Sequence, residues 1–293
     1  MQNLTKVTDT YTLSNGYQIP CVGFGTWQSP DGETAYNATM AALKAGYRHI
    51  DTAAGYGNEA SVGKAINDFM NESGVKREEI FVTTKLNNPD HGYENTVKAI
   101  ETSLQKLGLS YIDLYLIHWP NPIQYRDSWK EADAGSWKAM EEAYNAGKLK
   151  ALGLSNFWKH HIDAILEVAT VKPMVNQLKL CPGISQDEVV QYSRSLGMVV
   201  EAYSPMGTGG IFENAFVQEL SRKYNRSIAQ ICIRFSLQCG YLPLPKSVTP
   251  ERIQENMQVF DFELDACDVK SLKELNIEGL KITALRDPDQ TTF

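Results

Sequence analysis

Four residues whose side chains can do acid–base chemistry stand close behind predicted strands in the first half of the chain: Asp51, Tyr56, Lys85 and His118. Tyr56 lies between two glycines, and a turn made only to reverse the chain does not need a phenol. A phenol has an ordinary pKa near 10, so it is a weak acid at neutral pH. A nearby ammonium lowers the pKa of a phenol. The Lys85 ammonium could have this effect on Tyr56, and the Asp51 carboxylate could keep Lys85 charged. The four residues therefore suggest a proton-donating site.

Each of these residues also has a structural interpretation. Tyr56 could be a packed loop tyrosine, and Lys85 could be an exposed charge at the end of its strand. A lone His118 would more often be a structural histidine. The chemical interpretation requires that the fold bring the four side chains to one place.

The chain alternates between short apolar runs, predicted as strands, and amphipathic runs, predicted as helices. Two β-prone segments, 11–13 and 17–19, flank Asn15-Gly16, a strong hairpin signal. Eight strand–helix units follow, and strands such as 113–117 are apolar almost throughout, as strands buried on both faces must be. Regular alternation implies a parallel sheet, and eight units predict an α/β fold, the (β/α)8 TIM barrel, with the hairpin closing its bottom. The predicted strands are 22–25, 49–52, 80–86, 112–118, 151–154, 175–178, 199–202 and 242–245. The predicted helices are 33–45, 59–69, 94–107, 135–146, 159–169, 186–195, 227–237 and 250–259.

Composition narrows the class of protein. The chain has 293 residues, 43% of them hydrophobic, and no linker or repeat divides it, so we expect one domain, 1–293. The net charge of -7 argues against a nucleic-acid or membrane surface. Five scattered cysteines predict neither a metal site nor a disulfide framework. No signal-peptide segment or long apolar run is visible, so we expect a cytoplasmic monomer with a small-molecule substrate.

A doubly wound dinucleotide-binding fold is the rival α/β architecture. Its fingerprint of three glycines between a strand and a helix is absent. Gly23-Phe24-Gly25 begins like it, but Gln28 stands where the third glycine belongs. A nicotinamide cofactor would therefore have to bind in another way.

Longer motifs at the ends of the predicted strands resemble the aldo-keto reductase family, over about positions 12–264. The matching stretches are GYRHIDTAA (46–54), YGNE (56–59), TTKL (83–86), YIDL (111–114), IHWP (117–120), GLSNF (153–157), NQ (176–177) and PKSVTPER (245–252). The resemblance is greatest to the microbial branch, which includes diketogluconate reductase-like and prostaglandin F synthase-like enzymes. It implies a barrel that reduces aldehydes and ketones to alcohols with NADPH.

The resemblance also implies a role for each of the four residues. Carbonyl reduction needs a hydride donor at the carbon and a proton for the oxygen. Tyr56 would be the general acid, with Lys85 and Asp51 tuning it. His118 would hydrogen-bond the substrate oxygen and orient it.

Sixteen positions match the cofactor site of the family. They are Gly25, Thr26, Asp51, Ser155, Asn156, Gln177, Tyr203, Ser204, Met206, Gly207, Lys246, Ser247, Val248, Arg252, Glu255 and Asn256. Tyr203 would stack on the nicotinamide, and the loop after it would cover the pyrophosphate. Lys246 and Arg252 would hold the 2′-phosphate, since arginine binds phosphate oxygens in bidentate fashion. Residues 246–251 could instead be simple helix-start chemistry.

The substrate mouth departs from the family pattern. Trp27, Asn87 and Trp119 are the expected pocket walls beside Tyr56 and His118, and Asn87 stands where many relatives carry tryptophan. Lys179, Leu180 and Cys181 replace an acid, an aromatic residue and a histidine. With a short polar tail after Leu264, these changes predict an open pocket for small or polar carbonyls and dicarbonyls.

Two other functions stay open from the sequence. One is a non-catalytic, NADPH-binding regulatory module of the same fold. The other is a lyase that forms a Schiff base through Lys85. The intact set of four acid–base residues argues against the first, and the residues for the adenosine end of a cofactor have no purpose in the second.

Overall fold

Apolar strands form a closed parallel barrel. The structure, a computed structural model, describes residues 4–293 of the chain. Its eight strands are β3 (Phe24–Gly25), β4 (His49–Asp51), β5 (Phe81–Leu86), β6 (Ile112–Ile117), β7 (Leu149–Ser155), β8 (Val175–Lys179), β9 (Val199–Tyr203) and β10 (Leu242–Leu244). They pair in chain order, and hydrogen bonds of 3.0 Å from Gly23 N to Pro243 O and from Gly25 N to Pro245 O join the first strand to the last. The barrel prediction is confirmed.

An antiparallel hairpin covers the amino-terminal end of the barrel. It consists of β1 (Thr10–Thr12) and β2 (Gln18–Pro20). Leu13 and Ile19 are buried against side chains of the barrel interior, including Leu114 and Leu242. Packing of apolar side chains, more than the two short strands, therefore fixes the hairpin as the closure of the barrel bottom.

The helices surround the barrel as α1 (Glu33–Ala45), α2 (Glu59–Ser73), α3 (Tyr93–Leu107), α4 (Trp129–Asn145), α5 (Lys159–Val168), α6 (Asp187–Ser195), α7 (Ala215–Tyr224), α8 (Ile228–Gln238), α9 (Pro250–Glu255) and α10 (Ala266–Lys273). Two of them, α7 and α10, are additional to the eight expected.

The expected start of α4 at Gly135 was wrong. The helix runs through this glycine, where a Cβ would lie 2.9 Å from Tyr93 N, so the small residue permits close packing on α3.

The carboxyl-terminal tail returns across the open end of the barrel. Phe293 meets the Trp119 ring edge-on, with centroids 5.4 Å apart, and its carbonyl accepts a hydrogen bond from Asn88 Nδ2 at 3.2 Å. Asp289 fastens the tail to α5 by accepting from His161 Nε2 at 2.9 Å. The tail is thus part of the upper surface of the barrel. Within residues 4–293, no helix combines the length and apolar character that crossing a bilayer requires.

Candidate active site

A buried lysine joins the two strands that carry the first candidate residues. Lys85, on β5, is fully buried, and its Nζ donates to Asp51 Oδ1 on β4 at 2.7 Å and to Thr52 O at 2.9 Å. The same Nζ lies 3.4 Å from Tyr56 Oη. Burial by itself lowers the pKa of Lys85, but Asp51 and Tyr56 outweigh it and raise the pKa above its usual value. The ammonium therefore stays charged beside the phenol.

The environment of Tyr56 keeps its hydroxyl protonated. Burial raises the pKa of Tyr56 and outweighs the Lys85 ammonium, which lowers it. The expectation of a lowered phenol pKa is therefore not met in this structure, because it considered the ammonium without the loss of water around the ring. A protonated hydroxyl beside a fixed ammonium can still give up its proton, since the ammonium would stabilise the phenolate that remains.

His118 faces Tyr56 as a neutral imidazole. The two rings meet edge-on with centroids 5.6 Å apart. Burial lowers the pKa of His118 to about 3, with the positive charge of Lys85 as a further cause. A neutral imidazole carries one N–H donor, so His118 can donate a hydrogen bond to an oxygen near the Tyr56 hydroxyl.

A buried acid lies behind this cluster. Gln177 Nε2 donates to Asp51 Oδ2 and to Glu201 Oε2, both at 2.8 Å. Glu201 is fully buried, and burial, together with the Asp51 carboxylate, raises its pKa to about 8. Sequence reasoning missed Glu201, although an acid at the centre of an otherwise apolar strand, β9, was the available signal.

Glu201 should make the folded chain less stable at high pH. Its carboxyl has an ordinary pKa of 4.5 and a folded pKa of about 8, so the folded state holds an additional proton between these values. The contribution to stability is present below pH 4.5 and is lost as the pH rises through about 8. Glu201→Gln imitates the protonated form, so its melting temperature should match wild type near pH 5 and exceed it by a few degrees near pH 9. Thermal unfolding over this range, with exposed Glu219→Gln as the control, measures the difference. A Glu201→Gln difference independent of pH would contradict the assignment.

A cavity of about 810 Å³ opens at the carboxyl ends of the strands, as expected for the functional end of a barrel. Eighteen of the residues singled out in the sequence line it: Gly25, Trp27, Asp51, Tyr56, Asn87, His118, Trp119, Ser155, Asn156, Gln177, Tyr203, Ser204, Met206, Lys246, Ser247, Arg252, Glu255 and Asn256. The three catalytic candidates Asp51, Tyr56 and His118 therefore share one cavity, and Lys85 lies behind them.

The sequence of this barrel places it in a known family. The sequence profile described as "Aldo/keto reductase family" matches residues 21–277. The chain belongs to the aldo-keto reductase family. This membership places it among oxidoreductases that reduce carbonyl groups.

Individual relatives match over nearly the whole chain. A glyoxal reductase of Bacillus subtilis is 43% identical over 272 residues, 93% of this chain and 94% of the relative. A 9,11-endoperoxide prostaglandin H2 reductase of Trypanosoma cruzi is 43% identical over 281 residues, 95% and 94% of the two chains. The structure of a Bombyx mori aldo-keto reductase in complex with NADP matches with a TM-score of 0.82 and 34% identity, covering 91% of this chain and 92% of that one.

Four residues singled out in this aldo-keto reductase do not line the cavity. Thr26 and Lys85 lie behind it, and both the N–H and the Oγ1 of Thr26 donate to Asp51 O at 3.0 Å. Gly207 packs below Ile282, where a Cβ would approach the side chain to 3.1 Å. Val248 is 45% exposed on the surface. Lys85 contacts Asp51 and Tyr56 from behind the cavity. Its catalytic role and the cofactor roles of the other three residues stay predictions.

The cavity also contains residues that sequence reasoning did not single out. They are Gln28, Gly55, Asn88, Lys179, Pro205, Thr208, Gly209, Phe212, Ser227, Ala229, Leu244, Thr283, Ala284, Arg286 and Phe293. Lys179 was noted only as a departure from the family pattern. Four others belong to the tail, whose polar sequence gave no signal for a position above the barrel.

The end of the cavity near α9 combines helix-start chemistry with available polar groups. Ser247 Oγ accepts from Thr249 N at 3.1 Å, which supports the interpretation of this segment as a helix start. Lys246 Nζ donates to Gln28 O at 3.1 Å, and Arg252 is exposed at the cavity wall. Asn256 is buried, and its Oδ1 has no hydrogen-bond partner among residues 4–293. An acceptor of this kind leaves room for a donor on a ligand.

Proposed function

We propose that the chain is a single-domain, NADPH-dependent aldo-keto reductase that converts aldehydes and ketones to alcohols, with Tyr56 as the general acid. The observation that carries the proposal is the position of Lys85 Nζ, 2.7 Å from Asp51 Oδ1 and 3.4 Å from Tyr56 Oη, directly behind the cavity that Asp51, Tyr56 and His118 line together. This arrangement supplies a proton donor and a means of stabilising the phenolate that proton transfer leaves behind.

The cavity walls fit a nicotinamide dinucleotide. Tyr203 offers an aromatic face near the strand ends, and the far end supplies the cations Lys246 and Arg252 with the unpaired acceptor of Asn256. The Bombyx mori relative was solved with NADP, which supports the same choice here. When bound, NADPH would supply the hydride. The protein would orient it through Ser155, Asn156, Gln177 and Tyr203.

Tyr56 and His118 would contact the substrate oxygen, and aromatic residues form the wall of the cavity around it. Tyr56 donates the proton, and neutral His118 donates a hydrogen bond to the same oxygen. The aromatic rings of Trp119 and Phe293 are in edge-on contact and both line the cavity, where they would limit the access of water to the reacting carbon. A cytoplasmic location and a monomeric state remain predictions.

Consumption of NADPH over a panel of aldehydes, ketoses, dicarbonyls and keto acids tests the proposal, with the alcohol product quantified. Many turnovers per protein molecule, with one alcohol formed per NADPH, are expected. Oxidation of one NADPH per protein would favour the non-catalytic regulatory module. Trapping of a substrate on Lys85 by borohydride would favour the Schiff-base lyase.

We propose small or polar aldehydes and dicarbonyls as the substrates. Asn87 lines the cavity with its carboxamide against Gly55, since a Cβ on Gly55 would lie 2.7 Å from Asn87 Oδ1. A carboxamide next to the catalytic tyrosine can hydrogen-bond a hydroxyl or a second carbonyl oxygen. The similarity to the Bacillus subtilis glyoxal reductase supports this class.

Asn87→Trp should improve kcat/KM toward aromatic aldehydes and impair it toward polar dicarbonyls. The indole adds an apolar wall, and full burial of one large side chain contributes roughly 1.5–3 kcal/mol. Steady-state kinetics with benzaldehyde and methylglyoxal measure the two effects, and NADPH titration serves as the control for the cofactor site. Equal changes toward both substrates would show that Asn87 does not contact them.

A further inference from the structure

Two cations line the catalytic cavity away from the expected adenosine end. Lys179 is the last residue of β8 and is 3% exposed. It lies on the same strand face as Gln177, which contacts Asp51, and two residues along a strand correspond to about 6–7 Å. Lys179 is also the register partner of Tyr203 on β9. Its side chain therefore stands about one step above the catalytic cluster, toward the rim.

The Lys179 ammonium has spare hydrogen-bonding capacity. Its Nζ donates to Thr283 O in the tail, and no carboxylate forms an ion pair with it within residues 4–293. An ammonium has three donors, so one backbone carbonyl leaves two without a partner in the protein. Burial lowers the pKa of Lys179, as is expected for a lysine taken out of water without a carboxylate beside it. An anion entering the cavity would stabilise the charged form of the buried Lys179 ammonium.

Arg286 brings a second positive charge to the same region. It lies on the tail, lines the cavity, and stacks its guanidinium over the Phe293 ring at 4.7 Å. The positive charge of Arg286 reaches both neighbours: it adds to the lowering of the Lys179 pKa that burial causes, and it opposes the rise that burial causes in the pKa of Tyr203. In the described part of the chain it forms no ion pair with a carboxylate.

Nearby acids are engaged elsewhere. Asp287 accepts hydrogen bonds from Asp289 N at 2.9 Å and Gln290 Nε2 at 3.0 Å, and Asp289 binds the histidines of α5. Among the described residues, the side-chain carboxylates that line the cavity are Asp51, already paired with Lys85, and Glu255. A chain with a net charge of -7 thus has an excess of positive charge in its cavity.

We propose that Lys179 and Arg286 form an anion subsite next to the reacting carbonyl, so that preferred substrates are small aldehydes and ketones carrying a carboxylate. The inference rests on the proposed carbonyl reductase function and narrows its substrate class. Because Arg286 is on the tail and Lys179 holds the tail carbonyl of Thr283, an anionic substrate would bind between tail and barrel. The pyrophosphate of the dinucleotide is the competing anion for these two cations.

A matched pair of substrates tests the subsite. Succinic semialdehyde and its methyl ester differ mainly in one negative charge, so the ratio of their kcat/KM values isolates the effect of that charge. Wild type should prefer the acid, and raised ionic strength should reduce the preference by screening. Arg286→Met should lower the ratio about 10-fold or more, mainly through KM, since charge-assisted hydrogen bonds contribute about 1.5–3 kcal/mol. Lys179→Met should act in the same direction.

Controls separate the possible outcomes. Lys281→Met removes an exposed lysine of the same tail that does not line the cavity, and its ratio should equal that of wild type. Fluorescence titration with NADPH identifies the competing source. Weaker NADPH binding in Arg286→Met, with equal losses for acid and ester, would assign the cations to the pyrophosphate and overturn the proposal. Arg286 is exposed, so we expect Arg286→Met to fold normally. An unaltered ratio of kcat/KM values for acid and ester in this variant would therefore overturn the proposal as well. If wild type reduces other carbonyls of the panel but neither of these two compounds, the subsite proposal is overturned. Failure to reduce any carbonyl of the panel would instead contradict the reductase function itself.

Discussion

Replacing Tyr56 with phenylalanine is expected to slow the chemical step about 100- to 10,000-fold while leaving the NADPH dissociation constant nearly unchanged. The substitution keeps the ring that packs edge-on against His118 at 5.6 Å and removes only the hydroxyl. That hydroxyl is the proton donor of the proposed mechanism, and Lys85 Nζ lies 3.4 Å from it. The other members of the cluster that line the cavity do not replace it, because His118 is neutral and the Asp51 carboxylate is paired with Lys85. The Lys85 ammonium and the Glu201 carboxyl do not line the cavity.

Single-turnover kinetics with a preformed complex of protein and NADPH measure the chemical step directly, and fluorescence titration measures cofactor affinity. Tyr36→Phe is the matched control, because it removes a phenol that bonds Asp68 Oδ2 at 2.9 Å outside the cavity. Single-turnover rates of Tyr56→Phe close to wild type would remove Tyr56 from the role of proton donor. A large loss of NADPH affinity would instead indicate that the hydroxyl supports the cofactor site.

The double variant Lys246→Ala/Arg252→Ala should weaken NADPH binding at least about 100-fold and NADH binding far less. The two cofactors differ by the 2′-phosphate, and charge-assisted hydrogen bonds to such a group contribute about 1.5–3 kcal/mol each. Both side chains line the same end of the cavity, near the start of α9. Because Arg252 is exposed, the difference should be largest at low ionic strength.

Titrations of both cofactors at two salt concentrations measure this preference. Arg222→Ala, an exposed arginine on α7, serves as a control for the general loss of positive charge. Equal losses of affinity for NADPH and NADH would show that the two cations only support the start of α9. The hydrogen bond from Thr249 N to Ser247 Oγ already shows that this segment has a structural role of its own.

The sequence by itself determined the barrel and the positions of the candidate chemistry. Strand–helix alternation predicts the order of parallel strands, and in such a barrel functional side chains follow the strand ends. Asp51, Lys85 and His118 could therefore be placed on one rim before any contact was known. The family motifs that contain these residues are local, because each consists of a few consecutive residues, so they can be found without knowledge of the fold. Prediction from local patterns failed where tertiary packing outweighs the low helix propensity of glycine. Gly135 was predicted to begin α4 but lies in the middle of that helix.

Only the tertiary structure decided the electrostatics of the site and its outer wall. The direction of the Tyr56 pKa shift depends on how much water the fold removes, which no spacing of residues reveals. Glu201 became part of the site through Gln177, which bridges it to Asp51 across the barrel. The tail reaches the cavity through contacts between residues distant in sequence, such as Lys179 with Thr283 and Trp119 with Phe293. Contacts of this kind depend on packing of the whole chain, so they cannot be predicted from the sequence of a polar tail that contains no motif.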